Sequence, residues 1–98
     1  MSSSPYTISN IGIQELTRLA VAEAIDEAWF EEYVTGAARN RTYGFVLCVA
    51  HHQRVRRLMA ARGNPRVFYR MNTAINFVRR LKLPAVTFKF TEHKHHFL

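Results

Sequence analysis

Acidic residues are almost missing from most of this 98-residue chain. Beyond residue 38 the one carboxylate is Glu92, which argues against two-carboxylate or magnesium-dependent chemistry in that part. Cysteine is reduced to Cys48; a lone thiol excludes an internal disulfide and fits a reducing compartment. Gly12, Gly36, Gly44 and Gly63 are scattered, so there is no Gly-rich phosphate loop, and no Gly-x-Ser-x-Gly, Cys-x-x-Cys or zinc-finger spacing occurs. The longest apolar run, residues 45–50, is far too short to span a bilayer. Residues 2–10 carry no charge and no apolar core of a leader, so no signal peptide is expected. These absences predict a cytoplasmic protein with no membrane partner.

What is present is basic, and unevenly so. Lys and Arg number 14 against 7 Asp and Glu, a net charge of +7. Residues 1–38 hold Glu15, Glu23, Asp26, Glu27, Glu31 and Glu32 against Arg18 alone, net −5. Residues 39–98 hold thirteen Lys or Arg against Glu92, net +12, and ten of them fall in residues 54–90. Such asymmetry points to an anionic partner for the basic part. The plainer reading is a solvated face on an arginine-rich protein.

The 48% hydrophobic content supports one domain with a modest core. Residues 1–9 are Ser-rich and expected to be flexible. Residues 10–38 read as an acidic helical segment. Ile13, Leu16, Ala20 and Ala24 form a stripe that rotates after Asp26 to Trp29, Phe30, Tyr33 and Val34. One kinked helix or two helices account for the rotation, Asp26 capping the second. Trp29, Phe30 and Tyr33 then read as core or as a protein interface, that of a possible homodimer.

Residues 43–90 read as a basic β-β-β-α-β platform. Residues 43–50 suit a buried strand, although a buried helical turn fits the same apolar run. His51-His52-Gln53 is the turn that follows. Residues 54–61 and 66–70 read as an antiparallel hairpin about Gly63 and Pro65. A helix capped by Asn72 puts Ala74, Phe77, Val78 and Leu81 on one face and Thr73, Asn76, Arg79 and Arg80 on the other, and Pro84 stops it. Val86, Phe88 and Phe90 alternate with Thr87 and Lys89 as a half-buried strand. The fold class expected is α+β: an N-terminal helical segment packed on a small, mainly antiparallel sheet with a second amphipathic helix.

Arg54, Arg56, Arg57, Arg66, Phe68, Arg70, Arg79 and Arg80 are the candidate polyanion-contact residues. On a strand, Arg66, Phe68 and Arg70 share a face, and an aromatic flanked by guanidiniums can stack on a base while the arginines hold phosphates. The competing reading makes Phe68 core, with the arginines lying along the sheet edge. His93, His95 and His96, with Cys48 and His51 or His52, offer metal-ligand atoms without a recognised spacing. Residues 91–98 therefore read as a His-rich tail, and neither a metal nor a cofactor is expected. His51 and His52 suit general acid–base cleavage of RNA, but paired histidines alone do not establish it.

Arg62-Gly63-Asn64-Pro65-Arg66-Val67-Phe68, then Thr73-Ala74, Phe77-Val78-Arg79-Arg80-Leu81 and Val86-Thr87-Phe88, resembles small accessory proteins of proteobacterial plasmids and integrative elements, including partition-associated ones. Tyr69-Arg70-Met71-Asn72 departs from the Ser-Leu-Asp helix entry of that pattern. The resemblance covers residues 54–90 and implies a mobile-element, cytoplasmic setting, with no catalytic residue to carry over. The function expected is that of a non-enzymatic accessory or regulatory protein binding nucleic acid or a nucleoprotein through its basic face. One alternative is a phage- or plasmid-borne protein that binds and blocks an acidic host protein, for instance part of a defence complex. The other is a small ribonuclease toxin, although toxins of that type usually open with a strand, and a helix is expected first here.

Overall fold

The computed structural model describes residues 8–37, 39–61 and 63–90. Its order is β1 (Ile8–Ile11), α1 (Ile13–Val21), β2 (Glu27–Thr35), β3 (Thr42–His51), β4 (Arg54–Leu58), β5 (Val67–Phe68), α2 (Met71–Leu81) and β6 (Thr87–Lys89). The apolar run of residues 43–50 lies within β3, the central strand. Val46, Leu47, Cys48 and Val49 are all buried, so both faces of β3 are covered and its sequence does not alternate. Along one side β3 pairs antiparallel with β2; along the other it pairs antiparallel with β4 and, further on, β5. The β3–β4 turn is His52-Gln53, both at positive φ (52° and 65°), the backbone of a type I′ hairpin.

The sheet order is β1-β4-β3-β2-β6, with β5 beside β3. β1 is parallel to β4 and β6 is parallel to β2. It follows that β3 runs against all five other strands. Two parallel crossovers result, β1-α1-β2 and β5-α2-β6, and both step across the sheet in the same sense. Crossovers of one hand must then place both helices on one face. The core confirms that placement: Leu16 of α1 and Ala74 and Val78 of α2 pack with Ile11, Ala28, Phe30, Leu47, Val49, Leu58 and Phe68. Phe30 lies at its centre, stacked on Phe88 at 4.9 Å and edge-on to Phe68 at 5.6 Å. Burying one such ring contributes about 1.5–3 kcal/mol. Among the described residues no helix covers the opposite face, where Trp29, Val46 and Cys48 form a second, smaller cluster.

The expected N-terminal helical segment is overturned. A strand precedes the first helix, α1 has 9 residues, and residues 27–35 form a second strand. The described residues form a six-stranded mixed sheet with two helices on one face. α1 stops because Glu23 turns left-handed (φ 55°), a conformation that glycine usually signals, so its end left no mark in the sequence. Asp26 caps no helix. In β2, Trp29 and Tyr33 point to the open face, while Phe30 lies beneath the helices; the Glu31-Glu32 pair breaks the alternation that would have marked a strand. Residues 8 and 9, expected to be flexible, pair with Val55 and Arg56.

The basic half follows its expectation more closely, with three corrections. β4 and β5 pair with β3, and only the Met59–Pro65 bridge joins the arms of the expected hairpin. The α2 N-cap is Arg70, not Asn72, and no side chain caps it. Lys82, left-handed at φ 60°, closes α2 before Pro84 is reached. Gly44 is fixed by a close approach, since a Cβ there would lie 2.5 Å from Val67 Cγ1 and 3.1 Å from Tyr69 Cδ1. Among the described residues no helix is long and apolar enough to cross a membrane.

Candidate polyanion-binding surface

The chain between β4 and β5 must bulge outward, because both strands use the same edge of β3. A tight loop makes this excursion. Ala60 N–H donates to Asn64 O at 2.7 Å, Gly63 takes φ 83°, and Arg66 N–H returns to Leu58 O at 3.0 Å. Arg66 is thereby delivered to the flank of α2. Its guanidinium carbon lies 4.9 Å from the Phe68 ring centroid and 5.3 Å from that of Phe77. Two aromatic rings thus hold an exposed cation, a contact each worth about 0.5–1 kcal/mol. Along α2, Thr73, Asn76 and Arg80 follow at helical spacing and, with Arg66 and Phe77, line a concavity of about 240 Å³. Among the described residues, none that lines it is acidic.

The other predicted contacts are dispersed. Arg70 is exposed at the α2 N-cap, where no acidic residue in the first turn offsets the positive helix end. Arg79 is exposed in the last turn, beside Arg80. Arg54 sits opposite His51 at the hairpin end of β4, four residues of strand from Leu58 and so about 13 Å from the Arg66 approach. Arg56 is engaged within the fold: its guanidinium donates to both Glu15 carboxylate oxygens, at 2.8 and 3.1 Å, and to Asn10 O at 3.0 Å. That hydrogen bond to Arg56 holds the Glu15 carboxyl below its ordinary value. Arg57 lies on the open face, 6.0 Å from the Tyr33 ring centroid. Phe68 is buried in the core, so the expected Arg-Phe-Arg stacking face does not form.

Trp29, Phe30 and Tyr33 do not make one patch. Trp29 is only 6% exposed, its Nε1–H donates to Glu31 Oε2 at 2.8 Å, and Lys89 Nζ lies 4.5 Å from its ring. Phe30 is on the other side of the sheet. His51 acts as a structural tie, since its Nδ1–H donates to Ala24 O at 2.8 Å. The neighbouring His52 N–H donates to the Asp26 carboxylate at 3.2 Å, so the hairpin turn is pinned to the α1–β2 connection. The opening helix that set this chain apart from ribonuclease toxins is not there, because β1 comes first. Cys48 is buried, and desolvation, reinforced by Glu31, pushes its thiol up to about 11. Among the described residues no group of three or more His, Cys, Asp or Glu side chains is arranged to hold a metal. The tail histidines lie outside the described residues.

Thr73 and Asn76 were absent from the predicted contact set. Their spacing with Arg80 was legible as one helix face, but the return of Arg66 to that face depends on the loop and is not. No protein-family model and no curated protein matches the chain.

Proposed function

We propose that the protein is a non-enzymatic accessory factor that binds nucleic acid through the α2 surface, in the cytoplasmic, mobile-element setting that residues 54–90 suggest. The supporting observation is that α2 and its approach carry Arg66, Arg70, Arg79 and Arg80, while residues 54–90 contain no carboxylate. A surface of this kind contacts phosphates, which supplies affinity without sequence choice. Arg70 adds a cation at a helix end that already favours anions, an arrangement that a phosphate would relieve.

Counterion release makes such binding strongly salt-dependent. Binding of duplex and single-stranded oligonucleotides, followed by fluorescence anisotropy across a salt series, is the test. The expected result is a steep negative dependence of log K on log salt, weakened and flattened by Arg66→Glu with Arg70→Glu. No binding at low salt, or tight binding indifferent to salt, overturns the reading.

A further inference from the structure

We infer that the concavity between Arg66 and α2 is a seat for a single phosphate group, built from Arg66, Thr73, Asn76 and Arg80. The inference rests on the nucleic-acid reading for its natural ligand, a backbone phosphate, but the seat itself is tested without one. A diffuse basic surface needs only charge. This concavity has more: Arg66 and Arg80 line it together with Thr73 and Asn76, three residues apart on α2, and with Phe77. Its volume of about 240 Å³ admits a phosphate with a few waters.

Arg66 is the group that most distinguishes a seat from a field. Its fork is held in place by contact with Phe68 and Phe77, which are themselves packed together at 5.1 Å. Phe68 is in turn packed on Phe30 in the core. The guanidinium is therefore oriented before any ligand arrives, and less side-chain freedom is lost on binding. Its planar donors suit two phosphate oxygens at once, which a lysine ammonium cannot match. Thr73 and Asn76, which line the same concavity, bring a hydroxyl and an amide that can donate to phosphate oxygens, and Arg80 brings a second charge. A phosphodiester in the seat places the rest of a strand along α2, past Arg79 in one direction and Arg70 in the other.

The probe is inorganic phosphate, titrated into the full-length ¹⁵N-labelled protein with backbone, Asn side-chain and Arg Nε signals followed by NMR. Saturable shifts are expected at Thr73, at the Asn76 amide and at the Arg66 and Arg80 Nε–H groups. Two charge-neutral changes separate seat from field: Arg66→Lys and Asn76→Leu should each weaken phosphate binding by about fivefold, whereas Arg39→Lys on the β2–β3 loop leaves it unchanged. Unsaturable or scattered shifts, or equal binding by Arg66→Lys, Asn76→Leu and the parent with folded spectra, overturn the seat. The same proteins are then tested on an oligonucleotide. Salt-dependent binding untouched by Arg66→Lys and Asn76→Leu leaves the nucleic-acid reading standing and removes the seat. Site-specific phosphate binding with no oligonucleotide binding does the reverse, and marks the ligand as a small phosphorylated compound.

Discussion

Arg56 and Arg66 carry the same charge and are held in opposite ways. Arg56 is bonded to Glu15 and to a backbone carbonyl, so its charge joins α1 to the β1–β4 edge. Arg66 instead lies over two aromatic faces, those of Phe68 and Phe77, and is exposed. The Glu15 tie has a pH signature. The Glu15 carboxyl is lowered from 4.5 in the fold, so the stability it contributes is present above that ordinary value and is lost as pH falls through the depressed one. Glu15→Gln should therefore lower the thermal midpoint at neutral pH and lose this advantage in acid, where the two midpoints converge. Cys48 responds in the other direction. Its thiol, raised to about 11, should be silent to a disulfide reagent at mildly alkaline pH in the native protein and react fully in denaturant. Rapid native reaction would show that the open face of the sheet does not protect it.

At the scale of elements, what could be read depended on whether local signals agreed. α2 was legible because Ala74, Phe77, Val78 and Leu81 keep helical period and the opposite flank is polar throughout. β3 was legible as a buried apolar run, which favours a strand although a helical turn fits the same residues. β2 was not: Trp29 and Tyr33 are four apart and so are Phe30 and Val34, a spacing that fits a helix as well as a strand. The pairing with β3 and β6 settles it, and those partners are distant in sequence. The end of α1 was equally hidden by a glutamate in a glycine's conformation. The site shared this limit, since Arg66 meets Arg80 only because β4 and β5 compete for one edge of β3. The β3–β4 turn offers a direct check on local strain. Gln53 holds φ 65° without being glycine, a cost of about 1–2 kcal/mol relative to a right-handed residue. Gln53→Gly should relieve part of it, stabilising the fold by about 1 kcal/mol and raising the thermal midpoint by about 4–8 °C. A lowered midpoint would mean that the Gln53 side chain contributes more than its backbone costs.

For the whole molecule, the decisive feature is that two same-sense crossovers put both described helices on one side of the sheet, while side chains of the sheet itself form a smaller cluster on the other. The arginines of the basic half are thereby divided. Arg66, Arg70, Arg79 and Arg80 belong to the helical side, and Arg57 belongs to the opposite side with Lys89, Glu31 and Tyr33. Net charge alone cannot distinguish these positions, because each arginine contributes one unit of the same +7. Their positions can be distinguished by the salt dependence of binding. Arg66→Gln and Arg57→Gln remove identical charge and change the long-range field by nearly the same amount. If phosphates sit along α2, Arg66→Gln removes a contact, and the slope of log K against log salt falls by about 0.9 for duplex or about 0.7 for a single strand. Arg57→Gln should leave that slope in place and lower affinity only modestly at low salt, where the field is least screened. Equal slopes in the two variants would mean that the protein acts on polyanions as a charged particle rather than through a defined side. A slope lost in Arg57→Gln alone would move the binding surface to the open sheet, where Tyr33 and the half-exposed Tyr69 are the rings available for stacking.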